Sequence, residues 1–174
     1  MIKTLTAVCL ASMLVTPALR AGEMNHEHPA APKGSAELER LKGLAGTWEG
    51  KTEKNKEGMT VVTYAITGGG SAVEEKIMPG TPMEMTTVYY DEGGKLAMTH
   101  YCSLGNHPSM KLMKSEPAKL EFSLVDGTVP AQSMHMHQLA ISTPDADHLT
   151  ADWTLFDKGA KKDVHSFALT RKKG

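Results

Sequence analysis

The feature that most constrains the fold is a change of hydrophobic period near Gly46. Beyond it, short segments with alternating apolar and polar side chains recur about every eight to twelve residues, separated by Gly, Asp, Asn and Pro. Alternation with a period of two is typical of β-strands that bury one face. The connections are too short for the helical crossovers that parallel strands require, so the pattern predicts antiparallel pairing.

About ten strands are expected on this pattern, a number that suits a closed sheet. The predicted strands are Thr47 to Glu53, Thr60 to Thr67, Ser71 to Met78, Met83 to Asp91, Lys95 to Ser103, Met110 to Met113, Lys119 to Val125, Gln132 to Ile141, His148 to Phe156 and Asp163 to Arg171. Glycine-containing turns such as Gly68-Gly69-Gly70 and Asp157-Lys158-Gly159 fit hairpins. The sequence therefore predicts an all-β fold, a closed antiparallel up-and-down β-barrel.

One short helix is predicted before the strands. Ser35 can cap its N-terminus, Leu38 and Leu41 share one face, and Gly43 ends it.

The N-terminus is typical of an exported protein. Residues 1–21 combine Lys3 with an apolar run and end in Ala21, which predicts a cleaved signal peptide. Residues 22–34 predict a flexible leader, and residues 35–174 the barrel domain. We expect a periplasmic or secreted protein with no integral membrane segment after cleavage, because no second apolar run of spanning length follows.

The net charge limits the classes of partner that we expect, and the cysteine content limits the disulfides. The net charge is −1 and no basic patch is present, which argues against nucleic acid and favours a small-molecule ligand. The sequence gives no indication of the oligomeric state. Cys102 is the only thiol left after cleavage, so no internal disulfide is expected.

Strand alternation predicts which polar side chains face the interior. Glu75 shares a face with Val73 and Ile77, and His100 and Cys102 share one with apolar neighbours. A buried carboxylate is costly unless it is paired, so we expect a histidine, a tyrosine hydroxyl or a ligand beside Glu75.

The later strands add aromatic and imidazole groups. Trp153 lies on an apolar face, and His165 shares its face with Phe167. His135 and His137 alternate with two methionines, and we predict that the histidines face inward.

The segment Leu44-Ala45-Gly46-Thr47-Trp48 after a small helix resembles the Gly-x-Trp opening of lipocalin-type barrels. In that family the tryptophan plugs the closed end and a basic residue from the last strand covers its ring. The resemblance implies that Trp48 is the plug and that Arg171 lies over it.

Four stretches are similar to a family of exported bacterial proteins with a lipocalin-like domain of the calycin type. They are Gly69-Gly70-Ser71-Ala72-Val73 with Glu75; Pro79-Gly80-Thr81-Pro82; Thr99-His100-Tyr101-Cys102 with Gly105-Asn106 and Pro108; and His135-Met136-His137 with Asp147-His148-Leu149. This resemblance implies a barrel but brings no established activity.

A weaker resemblance is to nitrobindins, which are ten-stranded barrels that bind haem through a histidine on a late strand. His165, in Val164-His165-Ser166-Phe167, is the residue that would take that role.

The leading hypothesis is an exported barrel that holds a small, partly apolar ligand. Its predicted binding residues are Glu75, His100, Cys102, His135, His137 and Trp153. One alternative is a cofactor-binding barrel, with a metal ion on His100, His135 and His137 or haem on His165. A second is a small hydrolase or isomerase that uses inward His, Cys and Glu, without an assigned catalytic residue. The same side chains also fit a hydrogen-bonded core that binds nothing.

Overall fold

A computed structural model of the chain describes residues 33–52 and 55–173. The predicted signal peptide at residues 1–21, and all but the last two residues of the predicted leader at 22–34, lie outside the described residues.

The predicted fold class is confirmed by the observed elements. Helix α1 (Ala36–Lys42) precedes ten strands: β1 (Gly46–Thr52), β2 (Asn55–Thr67), β3 (Ala72–Ile77), β4 (Met85–Glu92), β5 (Lys95–Tyr101), β6 (Ser109–Glu116), β7 (Lys119–Leu124), β8 (His135–Ser142), β9 (His148–Asp157) and β10 (Ala160–Arg171). Each strand pairs antiparallel with its sequence neighbours, and β1 pairs with β10 to close the barrel. Closure leaves no unpaired sheet edge among these strands.

Four strand ends differ from the predictions by three residues or more. Strand β2 begins at Asn55 instead of Thr60, and β10 begins at Ala160 instead of Asp163, because pairing with β1 and β9 continues to these residues. Strand β6 continues three residues beyond the predicted Met113, because Lys114 and Glu116 pair with β7 despite their charge. Strand β8 begins at His135 instead of Gln132, because Ser133 N–H donates to the Pro130 carbonyl in a turn.

Helix α1 closes one end of the barrel. The Ser35 hydroxyl accepts a hydrogen bond from Leu38 N–H at 3.1 Å, as the predicted cap requires. The same hydroxyl donates to Asp91 Oδ1 at 2.7 Å, which ties the helix to the end of β4. Leu38 and Leu41 are buried in the barrel core.

The predicted tryptophan plug is present at this end. Trp48 is fully buried, and its indole N–H donates to the Leu44 carbonyl at 2.8 Å. The Arg171 guanidinium lies 4.2 Å from the ring centroid and donates to the carbonyls of Gly43, Ala45 and Ala146. The resemblance to lipocalin-type barrels thus predicted this contact correctly.

The opposite end is formed by the β3–β4, β5–β6 and β7–β8 connections. Ile77 pairs with Met85 across the first of these connections, whereas Asp91 lies six residues further along β4 beside α1. At about 3.3 Å per residue, the two ends of β4 are about 20 Å apart. The site described below therefore lies away from the tryptophan plug.

Candidate functional site

A row of polar side chains crosses four adjacent strands inside the barrel. Tyr64 on β2 is directly opposite Glu75 on β3, which is opposite Thr87 on β4, which is opposite His100 on β5. All four side chains are buried. Directly opposed residues on antiparallel strands project to the same face, so the register brings these groups into one line.

Glu75 is held by hydroxyl groups, as its predicted burial requires. Tyr64 donates to one carboxylate oxygen at 2.7 Å and Tyr89 donates to the other at 2.9 Å. Burial raises the pKa of Glu75, while hydrogen bonds from Tyr64, Tyr89 and Thr87 act in the opposite direction. Burial, reinforced by the nearby Glu75 charge, also raises the pKa of both phenols well above the usual value, so both remain protonated donors.

His100 is connected to this carboxylate through Thr87. The Thr87 hydroxyl lies 2.9 Å from His100 Nδ1, and Thr87 is directly opposite Glu75 on the neighbouring strand. We assign the tautomer in which His100 Nδ1–H donates to the Thr87 hydroxyl oxygen, because a neutral imidazole carries one N–H. The lone pair of a neutral His100 is then on Nε2, and burial lowers the pKa of this histidine to about 4.

His100 lines a pocket at the end of the barrel remote from Trp48. The pocket measures about 50 Å³, and its walls are Ile77, Met85, His100, Met136, Trp153, His165 and Phe167. The rings of His100 and Trp153 are in contact, with centroids 4.3 Å apart.

Three residues that line this pocket each have a ring nitrogen without a hydrogen-bond partner. These nitrogens are His100 Nε2, Trp153 Nε1 and His165 Nε2, and Asn106 Oδ1 is the fourth such buried atom in the described part of the chain. His165 Nε2 is 3.8 Å from Asp163 Oδ2, which is too long for a hydrogen bond. Buried polar atoms are usually paired, so three exceptions among the residues that line one cavity indicate a place for a polar ligand.

The predicted orientation of His135 and His137 is wrong. Met136 is opposite Leu155 and lines the pocket, whereas His135 is opposite Phe156 on the other face of the sheet. A bulge between Met136 and Gln138 breaks the alternation, and His137 stacks on Phe156 with ring centroids 3.9 Å apart. An extra residue in one strand reverses the facing of its neighbours, which the alternation rule does not anticipate.

The predicted metal group of His100, His135 and His137 is therefore not assembled. His135 Nε2 is instead 3.1 Å from His137 Nδ1, and His135 Nδ1 is 2.8 Å from the Ser133 carbonyl oxygen. Among residues 33–52 and 55–173, no three His, Cys, Asp or Glu side chains are arranged to hold a metal ion.

Cys102 also lies outside the pocket lining. Its Sγ is 4.0 Å from Met85 Sδ, so the thiol packs behind a methionine that does line the pocket. Burial raises the pKa of this thiol, which disfavours the thiolate that nucleophilic catalysis requires. The geometry therefore does not favour a hydrolase or isomerase that uses Cys102.

Haem on His165 does not fit this site. The histidine faces the pocket as predicted, but a cavity of about 50 Å³ is only about a third of the roughly 150 Å³ that admits benzene. A porphyrin is several times larger than benzene.

Several residues of the site were not anticipated from the sequence. Tyr64, Thr87 and Tyr89 complete the polar row, and Met85 and Met136 complete the pocket wall. A buried Glu75 needs a hydrogen-bond donor, and this requirement could have identified the tyrosines from the sequence. No comparable signal identified the methionines, because a methionine on a strand normally indicates only core packing.

Comparison with known proteins gives no assignment: no family model matches the chain, and no curated protein matches it. Within the described residues, no helix has the length and apolar character needed to cross a membrane.

Proposed function

We propose that this protein is an exported, lipocalin-like binding protein that holds a small, partly apolar ligand in the His100 pocket. The observation that carries the proposal is that three residues lining one cavity, His100, Trp153 and His165, each have a buried ring nitrogen without a hydrogen-bond partner.

The energetic argument is that these groups are expensive to leave unpaired. An unsatisfied buried donor or acceptor costs about 1–3 kcal/mol. A ligand that hydrogen-bonds to two of the three nitrogens recovers part of that cost when it binds. The apolar remainder of such a ligand would contact Ile77 and Phe167 on the pocket wall.

The polar row supports the proposal by fixing the orientation of His100. Its Nδ1 is bonded to Thr87 and its ring lies against Trp153, so Nε2 has a defined direction before a ligand arrives. Binding groups that are held in place in advance lose less conformational entropy on binding.

The size of the pocket defines the probes for a test. At about 50 Å³ it suits molecules smaller than benzene. Formamide and acetamide carry both a donor and an acceptor, while phenol serves as a probe that is too large.

The two tryptophans of the chain provide a readout with an internal control. In ¹⁵N-labelled protein, the indole signal of Trp153 should shift saturably with acetamide, because its N–H lacks a partner. The Trp48 signal should stay fixed, because its N–H is bonded to Leu44. His100→Leu should abolish the Trp153 response. Equal shifts of both indoles, or no saturable shift, would contradict the proposal.

Export is tested separately. A protein with a periplasmic or extracellular role should be recovered from that compartment with Gly22 as its first residue. Recovery of the uncleaved chain from the cytoplasm would refute this part.

A further inference from the structure

Four of the residues that line the His100 pocket carry soft donor groups. Two are imidazoles, from His100 and His165, and two are thioethers, from Met85 and Met136. Thioether sulfur is a weak hydrogen-bond acceptor but a good ligand for copper(I). Imidazole nitrogen and thioether sulfur together form a donor set that suits this ion.

We propose that this pocket binds a soft monovalent ion of the copper(I) class through His100 Nε2, His165 Nε2 and the sulfurs of Met85 and Met136. The inference rests on the proposed function, because it assigns the ligand class of the same pocket.

His100 has the properties of a prepared metal ligand. The residue is 1 % exposed, and its Nε2 has no partner in the protein. Its Nδ1 is 2.9 Å from the Thr87 hydroxyl oxygen, which fixes the orientation of the ring. A histidine ligand commonly donates its other ring N–H to an oxygen, which fixes the tautomer and raises the basicity of the ligating nitrogen.

The charge and character of the lining favour a soft, singly charged ion. The thioether donors in the pocket wall carry no charge and no carboxylate is among the lining residues, although Asp163 Oδ2 lies 3.8 Å from His165 Nε2. Harder ions such as magnesium and calcium prefer oxygen ligands, and structural zinc sites are usually built from thiolate and imidazole. One positive charge beside the Trp153 ring can also gain cation–π stabilisation.

Two other parts of the molecule offer competing sites. Cys102 Sγ lies 4.0 Å from Met85 Sδ, and the His135–His137 pair lies on the opposite face of β8. Cys102, His135 and His137 do not line the pocket, so variants at Cys102 and at His135 serve as controls.

The test is a titration of the full exported chain with copper(I) in ascorbate, using a chromophoric copper(I) chelator as competitor. We expect one ion to bind per chain and the Trp153 indole signal to shift. The double variant Met85→Leu/Met136→Leu should lose at least about tenfold in affinity, because it removes both sulfurs while roughly conserving volume. Cys102→Ser and His135→Gln should bind as the wild type does.

The opposite results would overturn the inference. Unchanged copper(I) affinity in the double methionine variant would show that the sulfurs are not ligands. Loss of binding in Cys102→Ser or in His135→Gln would place the ion elsewhere. If copper(I) binding fails while acetamide still shifts the Trp153 signal, the metal inference fails alone. If neither probe moves that signal, both proposals fail.

Discussion

His100 should make the stability of the metal-free protein fall in acid. Burial lowers the pKa of His100 to about 4, whereas histidine in an unfolded chain titrates near 6.5. Below pH 6.5 the unfolded chain takes up a proton at this position that the folded chain does not. The free energy of unfolding therefore decreases as the pH falls from 6.5 towards 4.

The size of the effect follows from the two pKa values. Each unit of difference corresponds to about 1.4 kcal/mol, so the contribution is about 2 kcal/mol between pH 7 and pH 4.5 and about 3 kcal/mol over the full window. No discount for solvent screening is needed, since His100 is 1 % exposed. Glu75 acts with the opposite sign, because its raised pKa removes stability as the pH rises above 4.5.

The measurement is urea unfolding at pH 7 and pH 4.5 with a metal chelator present. We compare the wild type with His100→Gln, and with His107→Gln as a control at an exposed position. All three proteins keep Glu75, so its contribution cancels in the comparison. Between the two pH values the wild type and His107→Gln should each lose about 2 kcal/mol more than His100→Gln.

Parallel profiles for the wild type and His100→Gln, to within about 0.5 kcal/mol, would refute the reasoning. They would mean that His100 has a similar pKa in the folded and unfolded chains, and hence that it is not a buried neutral imidazole.

Three further predictions concern parts of the fold outside the pocket. Arg171→Ala should lower the free energy of unfolding, measured in urea, by about 2–4 kcal/mol, because it removes three hydrogen bonds to backbone carbonyls and the contact with Trp48. Arg171→Lys should restore only part of that loss. Ser35→Ala should cost about 1 kcal/mol or more by the same measurement, since the hydroxyl both caps α1 and donates to Asp91. Cys102 should react with iodoacetamide at pH 8 at least about tenfold more slowly in the folded protein than in urea, because the thiol is buried and its pKa is raised. Equal rates in the two states would contradict the burial of the thiol.

The strands could be predicted because their signal is local. Alternation and glycine turns located all ten strands, and the Gly-x-Trp resemblance located the plug at Trp48 with Arg171 over it. The burial of Glu75 and His100 followed from the same alternation. The strands and the buried residues need only the periodicity of a strand and the rule that successive side chains alternate, whereas the plug and its arginine came from the family resemblance.

The errors at Cys102 and at the β8 histidines both come from a place where the regular strand stops: β5 ends at Tyr101, before Cys102, and β8 contains a bulge. The bulge in β8 places Met136 at the pocket and turns His135 away from it. Whether a strand accommodates one extra residue depends on its pairing with both neighbours, and a single segment does not reveal it.

The sequence by itself determined the barrel and the identity of its buried carboxylate, because these depend on patterns within single strands. The family resemblance identified the closed end. Only the tertiary structure decided which groups meet. The row from Tyr64 to His100 and the pocket shared by His100, Trp153, His165 and two methionines depend on the register of separate strands. Register is fixed by pairing between segments distant in sequence, so the side chains of the site come together only when the barrel has closed.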